Sequence, residues 1–225
     1  MRFHRVYASP TMIDVEITDL CNEKCRFCFN FDRDFSMGSK SMTFKQVDEL
    51  IEKFKKSKIF HVVLSGGETM TKFDLLLYFM EKLKKNGFST SMNSNLSVKA
   101  LRKDRLEKLK SVGVDHILVS LPSYKQDVTD YLVNAKGAYD RIISGIKEAT
   151  STGIRVSANM VVSKSTYNDV YETFNGSSAI IILTEWKIFK SLDWQNLYNS
   201  MRKPAWIFDT RGIVEFNSIK DCEIN

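Results

Sequence analysis

Residues 18–29 read TDLCNEKCRFCF and contain three of the four cysteines of the chain. These are Cys21, Cys25 and Cys28, which gives the spacing C-x3-C-x2-C. The stretch directly follows an alternating apolar run, Met12 to Ile17, which reads as a β-strand. A strand that leads into a cysteine-rich loop predicts a metal cluster site.

The number of thiols indicates which metal centre fits the loop. Three thiolates on a short loop can bind three irons of a four-iron cluster, and the fourth iron is then left without a protein ligand. A structural zinc site takes four ligands, usually as two pairs, whereas His4, His61 and His116 are scattered along the sequence. Zinc coordination and plain free thiols remain the two alternatives.

Composition and charge place the chain among ordinary globular proteins. Of its 225 residues, 43% are hydrophobic and 27% are charged, which suits one large domain or one domain with a small appendage. The net charge of +6 lies mainly in lysines along predicted helices, so solvated helix faces explain it better than nucleic-acid binding.

The cysteines and the length of the apolar runs indicate the cellular compartment of the protein. No run approaches the roughly 18 residues that a membrane-spanning helix needs. The start of the chain, Met1 to Pro10, has no signal-peptide core. We therefore expect a cytoplasmic protein with reduced thiols and without a membrane partner.

The chain up to about residue 165 alternates between strand and helix patterns. Thr43 and Gln46 form a capping-box pair that opens the first predicted helix. Alternation at this pitch predicts βα units with parallel strands and right-handed crossovers. The polar stretch from Asn30 to Ser41 is expected to cover the cluster. The five predicted strands are 12–17, 59–64, 88–92, 116–121 and 155–162, and the predicted helical faces are 47–54, 75–83, 101–112 and 138–149.

Polar residues follow the predicted strands at their carboxyl ends, where ligands sit in parallel α/β folds. Gly66, Gly67 and Glu68 follow the second strand, Asn95 follows the third, and Ser120 lies near the end of the fourth. Glycines without side chains would let a ligand approach the backbone, and Glu68 would accept a hydrogen bond from an ammonium group. A tight turn with a solvated acid is the alternative for the glycines and Glu68, and a merely structural role is the alternative for Asn95 and Ser120.

The cysteine spacing, with the aromatic Phe27 before the third cysteine, resembles the signature of the radical S-adenosylmethionine (SAM) superfamily. The resemblance covers roughly residues 10 to 165 and includes the order of the later motifs. Gly66-Gly67-Glu68 looks like the superfamily's GGE motif, with Thr69 in place of the usual proline. The implied fold is α/β, a partial parallel (β/α)6-type barrel.

The resemblance also implies cofactors and roles. Cys21, Cys25 and Cys28 would hold a 4Fe-4S cluster, and the open iron would bind the amino and carboxylate groups of SAM. Gly66, Gly67 and Glu68 would meet the SAM amino group, while Asn95 and Ser120 match positions that hold its ribose or methionine part. Ser157, Asn159 and Met160 are candidates for the adenosine pocket, with core packing as the alternative. A reduced donor of flavodoxin or ferredoxin type would supply the electron.

The last 55 residues or so resemble another family. The stretches LTEW (183–186) and KPAWIFDTR (203–211) are similar to the end of the UDP-binding domain of UDP-glucose and related nucleotide-sugar dehydrogenases, which implies a short Rossmann-like segment. Arg211 matches an arginine close to the sugar nucleotide in that family, and Thr210 replaces the usual glycine of that turn. The chain has no G-x-G-x-x-G turn for a dinucleotide.

The structural alternative for this segment is that Ala179 to Leu183 adds a sixth strand to the preceding sheet, followed by a helix from Leu192 to Met201. Cys222 is expected to be a lone thiol, since one cysteine cannot hold a second cluster. We thus expect two domains, a radical SAM core at 1–165 and a dehydrogenase-like segment at 166–225. A join of two family fragments is also compatible with a rearranged or truncated gene product.

The leading functional expectation is an iron-sulfur oxidoreductase that cleaves SAM to a 5′-deoxyadenosyl radical and takes hydrogen from a small molecule, a peptide or a nucleotide sugar. The alternatives are a non-catalytic protein that binds a cluster or a nucleotide, and a part of a nucleotide-sugar dehydrogenase system.

Overall fold

A computed structural model describes residues 10–30, 39–99, 102–160, 166–167, 170–182 and 185–219. The chain divides into two compact units, residues 1–160 and residues 161–225. Each unit has its own hydrophobic core.

The first unit is built on a five-stranded parallel sheet with the strands in sequence order, β1-β2-β3-β4-β5. The strands are β1 (Met12–Thr18), β2 (His61–Gly66), β3 (Ser89–Ser94), β4 (His116–Ser120) and β5 (Arg155–Asn159). The helices are α1 (Phe44–Lys56), α2 (Phe73–Lys85), α3 (Arg102–Ser111), α4 (Gln126–Val133) and α5 (Ala138–Ser151). The sequence correctly predicted the alternation and the parallel pairing.

Local sequence explains why the helices begin and pack where they do. At the start of α1, the Thr43 side chain accepts from the Gln46 amide and the Gln46 side chain accepts from the Thr43 amide, so the predicted capping box is confirmed. The apolar residues of α1 then recur at helical spacing and lie buried in the core of the first unit; they are Val47, Ile51 and Phe54.

The two faces of the five-stranded sheet differ in chemistry. One face carries buried apolar side chains such as Ile17, Leu64 and Val119, which belong to the hydrophobic core. The other face is predominantly polar and, apart from the buried Ser91, half-buried to exposed, and we call it the polar strand face. Its members are Met12, Asp14, Glu16, His61, Val63, Ser65, Ser89, Ser91, Asn93, His116, Leu118, Ser120, Arg155, Ser157 and Asn159.

Two details of the first unit differ from the sequence prediction. Helix α4 was not predicted, because it is only eight residues long and its N-cap, Lys125, makes no side-chain cap hydrogen bond. Strand β5 ends at Asn159, whereas the apolar pattern extended it to Val162. Val161 and Val162 lie outside the described residues, as does most of the expected cover from Asn30 to Ser41.

The second unit contains a strand-helix-strand arrangement. The sequence Ala179–Ile182 forms β6, Trp194–Ser200 forms α7 and Trp206–Asp209 forms β7, with β6 and β7 parallel. A short helix α6 (Val170–Phe174) precedes β6. This is the Rossmann-like segment that the sequence predicted.

The alternative that Ala179 to Leu183 extends the preceding sheet is wrong for the described residues of this run, which pair with β7 instead. The alternating burial of β6, with Ile180 and Ile182 inside, gives this two-stranded sheet one face toward its own core.

Among the described residues, no helix combines the length and the apolar character that crossing a membrane requires.

Candidate functional site

The carboxyl ends of the first four strands carry the candidate site. We call this set of segments the strand-end rim. It consists of the cysteine loop after β1 (residues 19–30), the turn after β2 (66–68), the end of β3 and its following turn (93–97), and Ser120 at the end of β4. In a parallel sheet these ends lie at one edge, and hydrogen bonds join three of the four segments directly.

The cysteine loop holds three free, half-buried thiols, those of Cys21, Cys25 and Cys28. The amide of Glu23 donates to Sγ of Cys21 at 3.5 Å, and the amide of Cys28 donates to the Cys25 carbonyl oxygen at 3.2 Å. These local bonds turn the chain back on itself between the cysteines.

Two thiols of this loop, those of Cys21 and Cys25, have raised pKa values and resist ionisation. Burial, followed by the carboxylates of Glu68 and Glu23 and the thiol of Cys28, raises the pKa of Cys21 to about 11, although the hydrogen bond from the Glu23 amide acts in the opposite direction. Burial and the carboxylate of Glu23 raise the pKa of Cys25 to about 12. Bound iron stabilises thiolates by direct coordination, so cluster binding would displace these protons.

The donor set fits a cluster better than a single ion. Among the described residues, no group of three His, Cys, Asp or Glu side chains converges closely enough to hold one metal ion. The thiols nevertheless lie near enough to interact, since Cys21 and Cys28 raise the pKa of Cys25 and Cys28 raises that of Cys21. Each cysteine of a four-iron cluster binds a different iron, so the thiols surround a larger body rather than meet at a point.

Gly66 and Gly67 allow close packing of the turn against the cysteine loop. A Cβ on Gly66 would overlap the carbonyl oxygen of Thr18, and a Cβ on Gly67 would overlap that of Leu20. The amide of Gly67 donates to Thr18 at 2.7 Å, and the amide of Glu68 donates to Leu20 at 2.8 Å. The sequence suggested that these glycines let a ligand approach the backbone. In the structure they let the backbone of the cysteine loop approach the turn.

Glu68 lies at the centre of a buried hydrogen-bond network and is 1% exposed. Its Oε1 accepts from the Met70 amide at 3.0 Å and from Ser94 Oγ at 2.7 Å, and its Oε2 accepts from the Asn95 amide at 2.7 Å. Burial raises the pKa of Glu68 to about 7, although these hydrogen bonds act in the opposite direction. The alternative of a solvated acid is therefore wrong, because this carboxyl is buried. Its hydrogen bonds connect the turn after β2 to the end of β3.

The network continues from the end of β3 into the cysteine loop. Asn95 Nδ2 donates to Asn22 Oδ1 at 3.0 Å, and Asn22 Nδ2 donates to Ser97 Oγ at 2.7 Å. Ser97 Oγ also donates to Glu23 Oε1 at 2.7 Å. Burial raises the pKa of Glu23.

Sequence reasoning singled out Asn95 but missed Asn22, Glu23 and Ser97. The position of Asn22 and Glu23 inside the cysteine motif was the available signal. Hydrogen bonds between residues more than 70 positions apart in the sequence do not follow from the spacing of a local motif.

Arg26 anchors the second half of the cysteine loop to the end of α4. Its amide donates to the Leu132 carbonyl at 2.7 Å, and its Nε donates to the Tyr131 carbonyl at 3.0 Å. Its Nη2 donates to Asn134 Oδ1 at 3.3 Å, and its guanidinium lies 4.4 Å from the centroid of the Tyr131 ring. These carbonyls belong to the last turn of α4, where backbone carbonyls have no hydrogen-bond donor within the helix itself. Arg26 supplies donors to them.

The remaining predicted site residues have looser surroundings. Ser120 is exposed, lies in register with Asn159, and makes no hydrogen bond to the network within the described part of the chain. Ser157 and Asn159 are exposed on β5 and Met160 is half-buried, so core packing does not explain the first two. Phe27 is 36% exposed.

Arg211 belongs to the second unit, in the turn after β7, and is exposed. Its amide donates to Asp209 Oδ1 at 2.8 Å. Thr210, which stands where a glycine was expected, donates from Oγ1 to the Ile182 carbonyl at 2.7 Å, and the positive φ of the turn falls on Gly212. Cys222 lies outside the described residues.

Comparisons with known proteins agree with this geometry. The family model described as Radical SAM superfamily matches residues 15–175. A probable GTP 3′,8-cyclase of Methanocella arvoryzae is 30% identical over 158 residues, which are 69% of this chain and 48% of that protein. UDP-glucose 6-dehydrogenase 4 of Arabidopsis thaliana is 45% identical over 53 residues, which are 24% of this chain and 11% of that protein.

A solved structure has a related fold. The chain of native anSMEcpe with bound AdoMet has a TM-score of 0.59 and 13% identity, and the match covers 88% of this chain and 50% of that one. The five parallel strands and the helices that connect them accordingly form a partial barrel. The chain spans about half the length of the cyclases it matches.

The family match extends over most of the chain and includes the whole strand-end rim, where the cysteine loop offers the thiols that a cluster needs. This protein therefore belongs to the radical SAM superfamily, and its cofactors are a 4Fe-4S cluster and SAM.

Proposed function

We propose that Cys21, Cys25 and Cys28 hold the cluster and that the strand-end rim binds SAM for reductive cleavage. The observation that carries the proposal is the continuous hydrogen-bond network from Glu68 through Asn95 and Asn22 to the cysteine loop. This network fixes the cysteine loop relative to the turn after β2. A cluster and its ligand need that relation to be rigid, because the reacting groups must be held in a set geometry.

Each rim segment has a distinct task in this proposal. The carboxyl of Glu68 fixes the end of β3, and its remaining acceptor position would take a hydrogen bond from the SAM ammonium. Gly66 and Gly67 bring the turn against the backbone of residues 18–20, so that its own peptide groups lie beside the cysteine loop. Asn95 and Ser120 are assigned to the ribose or methionine part of SAM.

When bound, the cluster and SAM would supply the chemistry, which is one-electron reductive cleavage of SAM to methionine and a 5′-deoxyadenosyl radical able to take hydrogen from the substrate. The superfamily uses a reductant, and we assign that role here to a flavodoxin- or ferredoxin-type donor. We place the protein in the cytoplasm, because the cluster cysteines must remain reduced before the metal binds.

We propose a nucleotide as the substrate class, ahead of a peptide or a non-nucleotide small molecule. The names of the GTP 3′,8-cyclases support this choice. The chain spans only about half of those proteins, so the choice is limited to the class and does not extend to GTP itself.

The decisive experiment is anaerobic reconstitution of the full chain with iron and sulfide, then reduction in the presence of SAM and assay of 5′-deoxyadenosine. Wild type should produce it and Cys25→Ala should not, because one iron loses its ligand. Cys222→Ala is the matched control, since it removes one thiol outside the motif and should leave production unchanged.

Two results would reject the proposal. Equal production by Cys25→Ala and wild type would show that the motif does not carry the chemistry. A wild-type cluster that forms and accepts electrons while SAM stays intact would instead favour the non-catalytic alternative, a protein that only binds the cluster and a nucleotide.

A second candidate function concerns the second unit, which we propose binds a nucleotide sugar. The match of 45% identity over 53 residues to a UDP-glucose 6-dehydrogenase favours it. Calorimetric titration of the full chain with UDP-glucose should give binding that Arg211→Ala weakens at least tenfold. Binding that Arg211→Ala leaves unchanged would remove Arg211 from the site, and no binding at millimolar UDP-glucose would reject this function, including a part in a dehydrogenase system.

A further inference from the structure

The chemistry of the polar strand face is unusual for a parallel sheet. Parallel sheets are normally covered on both faces, and their strands are therefore apolar on both sides. Here Met12, Val63 and Leu118 are the apolar members among otherwise polar and charged side chains. A polar face of this size indicates contact with a polar ligand.

The positive groups of this face gather at the amino-terminal end of its strands. His61 begins β2, His116 begins β4 and Arg155 begins β5. His116 lies in register with Ser91 on one side and with Arg155 on the other. His61 Nε2 lies 2.9 Å from that same Ser91 Oγ, so His61 and His116 lie on the two strands that flank β3, and Arg155 adjoins His116 on β5.

Serine hydroxyls hold both imidazole rings in position. His61 Nδ1 lies 2.9 Å from Ser89 Oγ, and His116 Nε2 lies 3.0 Å from Ser157 Oγ. A hydroxyl can accept a hydrogen bond from either ring nitrogen, so these partners are compatible with a protonated ring. Arg155 Nε donates to the Asp115 carbonyl at 3.1 Å, which fixes the guanidinium at the same end.

This group has no carboxylate partner within the described part of the chain. The ion pairs there join Lys55 to Glu52, Lys82 to Asp48, Lys84 to Asp115 and Arg102 to Glu148. Burial, then the positive charge of Arg155 and that of His61, lower the pKa of His116. Positive fields thus converge at His116 without a neutralising acid, and an anion placed there would relieve the repulsion.

We propose that His116 and Arg155 bind a phosphate group of the substrate, and that the imidazole of His61, whose two ring nitrogens bond to Ser89 and Ser91, lies near them without contacting the phosphate. Arginine presents several N–H donors in a fork that matches phosphate, and imidazole adds a further donor. Four residues separate His116 from Ser120 on β4, which at about 3.3 Å per residue puts the phosphate about 13 Å from the strand-end rim. The substrate would therefore carry its phosphate at the end remote from the hydrogen that is removed.

This inference rests on the proposed function and names the chemistry of its substrate. The test is calorimetric titration of the reconstituted full chain with sodium pyrophosphate, with GTP and with guanosine. Pyrophosphate should bind wild type, and Arg155→Gln and His116→Gln should each weaken that binding about tenfold, with Arg155→Lys between wild type and Arg155→Gln. Lys147→Gln, an exposed charge on α5, is the matched control and should bind like wild type.

The outcomes separate the possibilities. No pyrophosphate binding at millimolar concentration, or equal binding by wild type, Arg155→Gln and His116→Gln, would overturn the phosphate site. Tighter binding of GTP than of pyrophosphate, with guanosine weakest, supports a phosphate carried by a nucleotide, whereas equal binding of GTP and pyrophosphate would overturn the assignment to a substrate. Since these titrations involve no SAM turnover, their failure leaves the SAM-cleavage assay unaffected.

Discussion

Gly66 and Gly87 both have positive φ angles, +123° and +80°, but their surroundings differ. A Cβ on Gly66 would overlap the Thr18 carbonyl, while a Cβ on Gly87 would meet nothing within 4 Å. Alanine at Gly87 should cost about 1 kcal/mol of folding free energy, the usual cost of a left-handed alanine. Alanine at Gly66 adds a backbone clash and should cost at least about 3 kcal/mol. Urea unfolding of both variants measures the difference, and equal costs would refute the close approach of β1 and the turn.

Glu68 should make stability depend on pH in the neutral range. Its pKa is about 7 in the folded protein and about 4.5 unfolded, so the folded state binds more protons between these values. The contribution of protonated Glu68 to the free energy of unfolding is then fully present below pH 4.5, and it is lost as pH rises through 7. From pH 5 to pH 8 the loss should be about 2 kcal/mol.

The measurement is the unfolding free energy of wild type minus that of Glu68→Gln at pH 5 and pH 8. The glutamine side chain does not titrate, so this difference should fall by about 2 kcal/mol as pH rises. The lowered pKa of His116 acts in the opposite direction in wild type and variant alike, and so cancels. A difference that is constant with pH would show that Glu68 does not titrate in this range.

At the level of elements, the cysteine loop is bound to two different parts of the first unit. Asn22 and Glu23 bond to the turn after β3, and Arg26 bonds to the last turn of α4. The two attachments lie on either side of Cys25. Each therefore limits the movement of a different pair of cysteines.

Arg26→Ala should release the part of the loop between Cys25 and Cys28 from α4. We expect the reconstituted variant to lose iron to a chelator several-fold faster than wild type, because two side-chain hydrogen bonds and the stacking on Tyr131 are missing. Lys24→Ala removes a charge from the same loop and is the control. Iron release at the wild-type rate in Arg26→Ala would mean that α4 does not hold the loop.

At the scale of the whole molecule, the two units have separate hydrophobic cores, and tryptophan fluorescence reports on the second unit alone. All three tryptophans, Trp186, Trp194 and Trp206, lie in the second unit. Leu197 is fully buried in the core of that unit. Leu197→Ala should destabilise it by about 2–5 kcal/mol, the usual cost of such a cavity.

Tryptophan fluorescence during urea unfolding tests this prediction. The transition should move to lower urea in Leu197→Ala, while Ile181→Ala, which removes an exposed side chain on the neighbouring β6, should shift it little. An unchanged midpoint in Leu197→Ala would contradict the core described for the second unit.

Local patterns predicted much of the first unit. The strands before the cysteines and before Gly66 were readable because their apolar residues recur with short periods, and the capping box of Thr43 and Gln46 lies within one helical turn. The strand ends therefore followed from the sequence, and with them the shared location of the cysteines, Gly66-Gly67-Glu68 and Asn95. Helix α4 was missed because its short sequence carries neither a capping signal nor a long apolar pattern.

The sequence by itself determined the βα order, the spacing of the thiols and the Rossmann-like form of the second unit. Only the tertiary structure decided that Asn95 meets Asn22, that Arg26 meets α4, that β6 pairs with β7 and that His61, His116 and Arg155 share one end of a polar face. The physical reason is range: periodicity and capping act over a few residues. Contacts between distant segments depend on strand register and helix placement, which the whole set of packed elements fixes together.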